Sequence, residues 1–114
     1  MQLKRVVVTG LGALTPIGNT IEEYWNALAN GVSGAAPISH FDASKSKTRF
    51  ACEVKNFNPT DFINRKEARK MDKFTQYAMV ASDEAIADAN LDLETINKLR
   101  VGVIWGAGIG GLET

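Results

Sequence analysis

Four places in the sequence hold residue types that could do chemistry. The first is Gly10-Leu11-Gly12-Ala13-Leu14-Thr15-Pro16-Ile17-Gly18, which follows the β-branched run Val6-Val7-Val8. A glycine turn between a strand and a helix can cradle a phosphate, because its bare N–H groups approach an anion at the positive end of the helix. The spacing argues against that use. A dinucleotide fingerprint wants G-x-G-x-x-G opening straight into a helix, whereas position 15 is Thr with Pro16 behind it, and a helical pattern starts only near Ile21. No acidic residue stands at the end of a second strand to hold a ribose hydroxyl, so a Rossmann-type nucleotide-binding module is the weaker reading.

The second place is the basic cluster Arg65, Lys66, Arg69 and Lys70. On a helix, Lys66, Arg69 and Lys70 fall at i, i+3 and i+4 and share a face. Such a run is either a solvated helix surface or a docking face for an acidic partner, where like charges raise the encounter rate and fix orientation. The third place is Cys52, between Ala51 and Glu53. A nucleophilic thiolate needs a helix N-terminus or a neighbouring cation, and an adjacent carboxylate supplies neither, so Cys52 reads as a small structural residue. The fourth is His40, the only histidine, in the loop Ser39-His40-Phe41-Asp42, with no second ligand or nucleophile in evident reach. One Cys and one His are too few to build a metal site from this chain alone.

The elements that must position these residues alternate between two periods. Val6–Val8 is apolar at every position and predicts a strand buried on both faces, as in a parallel sheet. Ile21 to Asn30 is a helix: Thr20 caps it, Glu23 completes a capping-box spacing, and Ile21, Tyr24, Trp25 and Leu28 form its stripe before Gly31 ends it. Gly31 to Lys47 reads as a long loop, and Arg49 to Phe57 as a short edge strand. A short helix from Asn64 to about Met71 repeats the capping-box spacing with Glu67. A longer one runs from about Asp72 to Asn90, apolar around much of its circumference and rich in alanine, which suits close packing on more than one side. After the connector Leu91–Asn97, Arg100 to Trp105 is predicted as a second buried strand, followed by Gly106-Ala107-Gly108-Ile109-Gly110-Gly111. Two apolar strands and a few helices cannot cover their own faces, so the sequence is expected to be part of a larger fold and poorly soluble alone.

The totals narrow the class. At 114 residues, 45% apolar and 23% charged, the chain has the make-up of one globular unit. Thirteen basic residues balance thirteen acidic ones, which gives no overall field toward nucleic acid or anionic lipid. Lys4 and Arg5 precede an apolar stretch, but Thr9, Gly10, Gly12 and Pro16 break it too early for a signal peptide, and no run is long enough for a membrane helix. A lone thiol and these absences point to the cytoplasm.

Taken together, Val6-Val7-Val8-Thr9-Gly10-Leu11-Gly12 with Thr15-Pro16-Ile17-Gly18, then His40-Phe41-Asp42, then Arg65 to Phe74, then Gly106 to Leu112 resemble the β-ketoacyl-acyl-carrier-protein synthases in order and spacing. The Arg65–Phe74 run is similar to that of the type II condensing enzymes. The resemblance covers the whole chain and implies an α/β, thiolase-like fold (layered αβαβα) in which residues 1–114 are the start of the amino-terminal half. It implies a homodimer that extends fatty-acyl chains by decarboxylative Claisen condensation, without organic cofactor or metal. In such an enzyme an active-site cysteine takes the acyl chain from acyl carrier protein, and the carbanion left when malonyl-carrier protein loses carbon dioxide attacks the thioester.

The same resemblance implies that no catalytic residue lies in this chain, the family's cysteine and both histidines being expected beyond Thr114. By the same likeness Lys66, Arg69 and Lys70 correspond to the carrier-protein docking helix, Ile109 lines the acyl pocket, and Thr9 to Gly18 is a structural turn. A polyketide ketosynthase or chain-length factor shares most of these motifs and is the alternative. A stand-alone carrier-docking module is weaker, because its apolar strands would be left exposed.

Overall fold

Thr20 opens the first helix, α1 (Ile21–Ala29), from an extended backbone, and its Oγ1 accepts from the Glu23 amide at 3.2 Å. Glu23 returns its carboxylate to the Asn19 amide (2.8 Å) and not to Thr20, so the expected reciprocal box is displaced by one residue. At the other end Gly31 adopts φ 65°, which lets its amide reach the Leu28 carbonyl (3.1 Å) and the Val32 amide reach Ala27 (2.9 Å). These bonds form a Schellman stop that satisfies carbonyls the helix would otherwise leave open.

The structure, a computed structural model, describes residues 2–112. After α1 come strands β1 (Ala36–Pro37) and β2 (Phe50–Ala51), an antiparallel pair in which Ala36 faces Ala51 and Pro37 faces Phe50. The expected edge strand over Arg49–Phe57 thus pairs only at its start, and β1 lies inside the expected loop. A 3₁₀ turn, Pro59–Asp61, leads into α2 (Arg65–Ala68) and α3 (Lys73–Asp88), and a second 3₁₀ turn covers Lys98–Arg100.

α3 is the element around which the rest is arranged. Val80 and Ala81 on it are buried, as are Ala68 of α2 and Ala43. The opening turn crosses α3 at backbone contact distance. A Cβ placed on Gly12 would run into the Ala81 carbonyl and lie 2.8 Å from the Ala85 amide, and one on Gly10 would meet the Ala89 amide at 2.5 Å. Glycine on one side and alanine on the other permit this approach. Near the start of α3, Tyr77 meets Phe57 edge-on with centroids 5.2 Å apart, and Phe57 stacks on Phe62 at 6.1 Å. Such contacts tie the segment before α2 to the long helix.

The two buried strands expected from the apolar runs are not formed. Val6–Val8 and Val101–Trp105 belong to no ladder among the described residues, and Val6 and Ile104 are 89% and 98% exposed. Arg100, expected in the second strand, sits in the 3₁₀ turn. A strand exists only when neighbours take its N–H and C=O groups, and these segments have none to pair with here. Accordingly the radius of gyration is 17.3 Å, against about 13 Å for a closed domain of this length.

Candidate functional site

The opening glycine turn is occupied by the protein's own anions. Leu11 N donates to Asp88 Oδ2 (2.8 Å), Ala13 N to Glu84 Oε2 (2.9 Å), and Ile21 N, at the start of α1, to Glu84 Oε1 (2.7 Å). Within the turn, Thr15 and Gly18 exchange backbone bonds, and the Thr15 hydroxyl accepts from Ile17 N at 3.3 Å. Amides that could have cradled a phosphate already hold carboxylates from α3, so the nucleotide reading finds no support and the structural-turn reading does. Glu84 and Asp88 were not singled out from the sequence. Their four-residue spacing on an alanine-rich helix was the available signal.

The basic cluster lies on α2 and the turn after it. Asn64 caps α2, its Oδ1 accepting from Lys66 N at 2.9 Å, while Glu67 reaches the Lys70 ammonium at 3.3 Å instead of completing a capping box. Lys66, Arg69 and Lys70 are all exposed, and Ala68 between them is buried, so the helix turns its small apolar side inward and its cations outward. The exposed Lys70–Glu67 pair contributes little to stability. Beneath this face is a cleft of about 500 Å³ bordered by Arg69, Gln76, Tyr77 and His40.

Gly106–Gly111 is open by comparison. A Cβ on Gly106 or Gly108 would meet nothing within 4 Å, whereas one on Gly111 would run into the Asp72 carboxylate, so the turn rests on the start of α3 only at its far end. Gly110 takes φ 82°, a conformation that suits glycine. Ile109 is 81% exposed and does not border the recess of about 340 Å³ that Gly110 and Leu112 form with Phe74 and Tyr77.

Cys52 stands apart from these places, and His40, at the border of the cleft near Arg69, is tied to Glu53. Glu53 gathers the Ser39 hydroxyl (2.7 Å), the Ser39 amide (3.1 Å) and the His40 amide (3.4 Å), and its carboxylate lies 3.5 Å from His40 Nδ1. The Ser39 hydroxyl bond is the largest influence and holds the Glu53 carboxyl below its ordinary value against the opposing effect of burial, with the Ser39 and His40 amides adding to the lowering. Cys52, expected as a small structural residue, is exposed, one residue past the end of β2. Among the described residues no three His, Cys, Asp or Glu side chains converge as metal ligands would.

Comparison with known proteins decides the family. Residues 3–114 match the model of the β-ketoacyl synthase N-terminal domain. The chain belongs to the β-ketoacyl synthase family. Within that family it is 52% identical to the 3-oxoacyl-[acyl-carrier-protein] synthase 2 of Synechocystis sp. and 50% identical to that of Vibrio harveyi, over 99% of this chain and 27% of each relative. It thus spans about a quarter of the length of the curated synthases it matches. Among solved structures, the ishigamide ketosynthase/chain length factor superposes with a TM-score of 0.71 at 39% identity, covering 77% of this chain and 22% of that one. A β-ketoacyl synthase from Burkholderia phymatum gives 0.64 at 30%, covering 82% and 23%. The ketosynthase AntDE, solved with its type II polyketide acyl-carrier protein AntF, gives 0.64 at 27%, covering 84% and 25%. The fold class is thiolase-like α/β, of which this synthase chain contributes opening helices and extended apolar segments.

Proposed function

We propose that the chain is the amino-terminal part of an enzyme that elongates fatty-acyl chains by decarboxylative Claisen condensation with malonyl-acyl-carrier protein. The observation that carries this reading is the 52% identity, over almost the whole chain, to a relative named 3-oxoacyl-[acyl-carrier-protein] synthase 2. Here the carbon–carbon bond forms as carbon dioxide leaves the malonyl group and the enzyme thiolate departs from the acyl carbonyl. No residue of this chain is assigned to those steps. Lys66, Arg69 and Lys70 are assigned to docking the acidic carrier protein, supported by their outward exposure around buried Ala68. Ile109 is assigned to the acyl pocket, supported by its place in an open glycine turn. The complete enzyme is proposed to be a cytoplasmic homodimer that uses no organic cofactor; among the described residues no helix is long and apolar enough to cross a membrane.

The polyketide reading has specific support too, since structural neighbours include a ketosynthase/chain length factor and a ketosynthase solved with a polyketide carrier protein. Their 39% and 27% identities fall below those of the fatty-acid synthases, which is why the latter reading leads. Incubating the complete synthase with a saturated acyl-carrier primer and malonyl-carrier protein separates them. The expected product is one 3-oxoacyl-carrier protein, two carbons longer than the primer. Repeated additions without intervening reduction would favour the polyketide reading, and no condensation with either carrier would sink both.

A further inference from the structure

A four-residue helix cannot hold itself, because nucleating a helix fixes several residues for a single backbone bond. α2 is such a helix, yet its cations must keep a fixed direction if they are to orient a partner. Three contacts fasten it: the Asn64 cap at its start, the burial of Ala68 in its middle, and one side chain of α3 at its end. That side chain is Gln76. Its Nε2 donates to the Ala68 carbonyl at 2.9 Å and to the Met71 carbonyl at 3.2 Å. Both partners are acceptors, so the amide can be turned only with its nitrogen toward them. The bonds bracket Arg69 and Lys70, which sit between the two held carbonyls. Gln76 is itself half-buried, which shields the bonds from competing water.

We infer that Gln76 is a positioning residue for carrier-protein recognition: it clamps the end of α2 to α3 and so sets the direction in which Arg69 and Lys70 face the partner. The inference rests on the docking role proposed for α2 and adds to it a residue that does not touch the partner. Sequence reading missed it, since a lone Gln on a helix carries no motif. The physical consequence is specific. Loosening α2 spreads its cations over many directions, so the partner must pay the ordering entropy on binding, while groups that act on the thioester itself are left as they were.

The test uses the complete synthase and compares Gln76→Glu, which keeps the size but presents carboxylate oxygens to the two carbonyls, with Lys66→Glu/Arg69→Glu. The KM for acyl-carrier protein is expected to rise about fivefold in Gln76→Glu. Its kcat, and its KM for a small acyl thioester lacking the carrier, should not move. Gln76→Lys, whose ammonium can donate to the same carbonyls, should restore most of the affinity. If Lys66→Glu/Arg69→Glu raises the carrier KM and Gln76→Glu does not, the clamp is overturned and the docking role stands. If neither raises it, the docking role falls and the clamp with it. Equal losses with carrier and small thioester would also overturn the clamp, by marking Gln76 as a general structural residue. Should Gln76→Glu not fold, Gln76→Met removes the donors at nearly constant volume, and an unchanged carrier KM in that variant overturns the inference.

Discussion

The two glycine turns of this chain look alike in sequence and differ in almost every physical respect. Thr9–Gly18 is closed: Gly10 and Gly12 lie against the backbone of α3, Gly18 lies against that of α1, and the Leu11 and Ala13 amides are taken by Asp88 and Glu84. Gly106–Gly111 is open, with free space around Gly106 and Gly108 and an exposed Ile109. The lesson is that glycine serves opposite ends. In the first turn it allows two backbones to meet and become fixed. In the second, Gly106 and Gly108 touch no other part of the described chain, and only Gly111 comes against the start of α3.

The sharpest way to break this contrast is at Gly12. In the complete synthase, Gly12→Ala should cost about 3 kcal/mol, because the new methyl meets the Ala81 carbonyl and a helix backbone cannot step aside. Thermal or denaturant unfolding reads this directly, and an unshifted midpoint would mean the turn is not packed on α3. Next is the carboxylate that bridges the turn to α1. Glu84→Gln replaces one of two accepting oxygens by a donor facing an N–H, at a part-buried site, and should cost about 1–3 kcal/mol. Asp88→Asn, at an exposed bond, should cost less. Equal losses in the same unfolding assay would show that burial does not rank these contacts.

At the open turn the expected change is in selectivity. Ile109→Phe should leave stability nearly unaltered and lower activity on longer acyl primers relative to shorter ones, as measured by product chain length. An unaltered profile would remove Ile109 from the acyl pocket. The smallest effect concerns Glu53, which belongs to neither turn. Its carboxyl is held below the ordinary value of 4.5 by the Ser39 hydroxyl, so its contribution is present above pH 4.5 and fades as pH falls through the lower folded-state value. Amide exchange at Ser39 and His40 should therefore quicken only on acidification below that range. Exchange that is flat with pH, after correction for intrinsic rates, would mean the Glu53 bonds are absent in solution.

Much of the helical framework was legible in advance, because its signals are local. Thr20 and Gly31 mark the ends of α1, and the expected helices over Asn64–Met71 and Asp72–Asn90 contain α2 and α3. The apolar runs at Val6–Val8 and Val101–Trp105 were equally clear as patterns, yet a strand is a property of a pair, and no pairing neighbour lies among the described residues. The site divided in the same way. Charge spacing picked out Lys66, Arg69 and Lys70, and the likeness to the condensing enzymes supplied the role proposed for them and for Ile109. Glu84 and Gln76 are harder to read because their partners are backbone groups, separated from Glu84 by 71 and 63 residues, and the spacing of Glu84 and Asp88 marks a shared helix face without naming what it meets.

The measurement that bears most directly on the function proposed for this chain is the salt dependence of kcat/KM for acyl-carrier protein in the complete synthase and its Lys66→Glu/Arg69→Glu variant. Reversing two exposed cations should lower kcat/KM about tenfold or more at low salt, and the two enzymes should converge as salt screens the interaction. Identical kinetics at low salt would contradict the assignment of this face to the carrier protein.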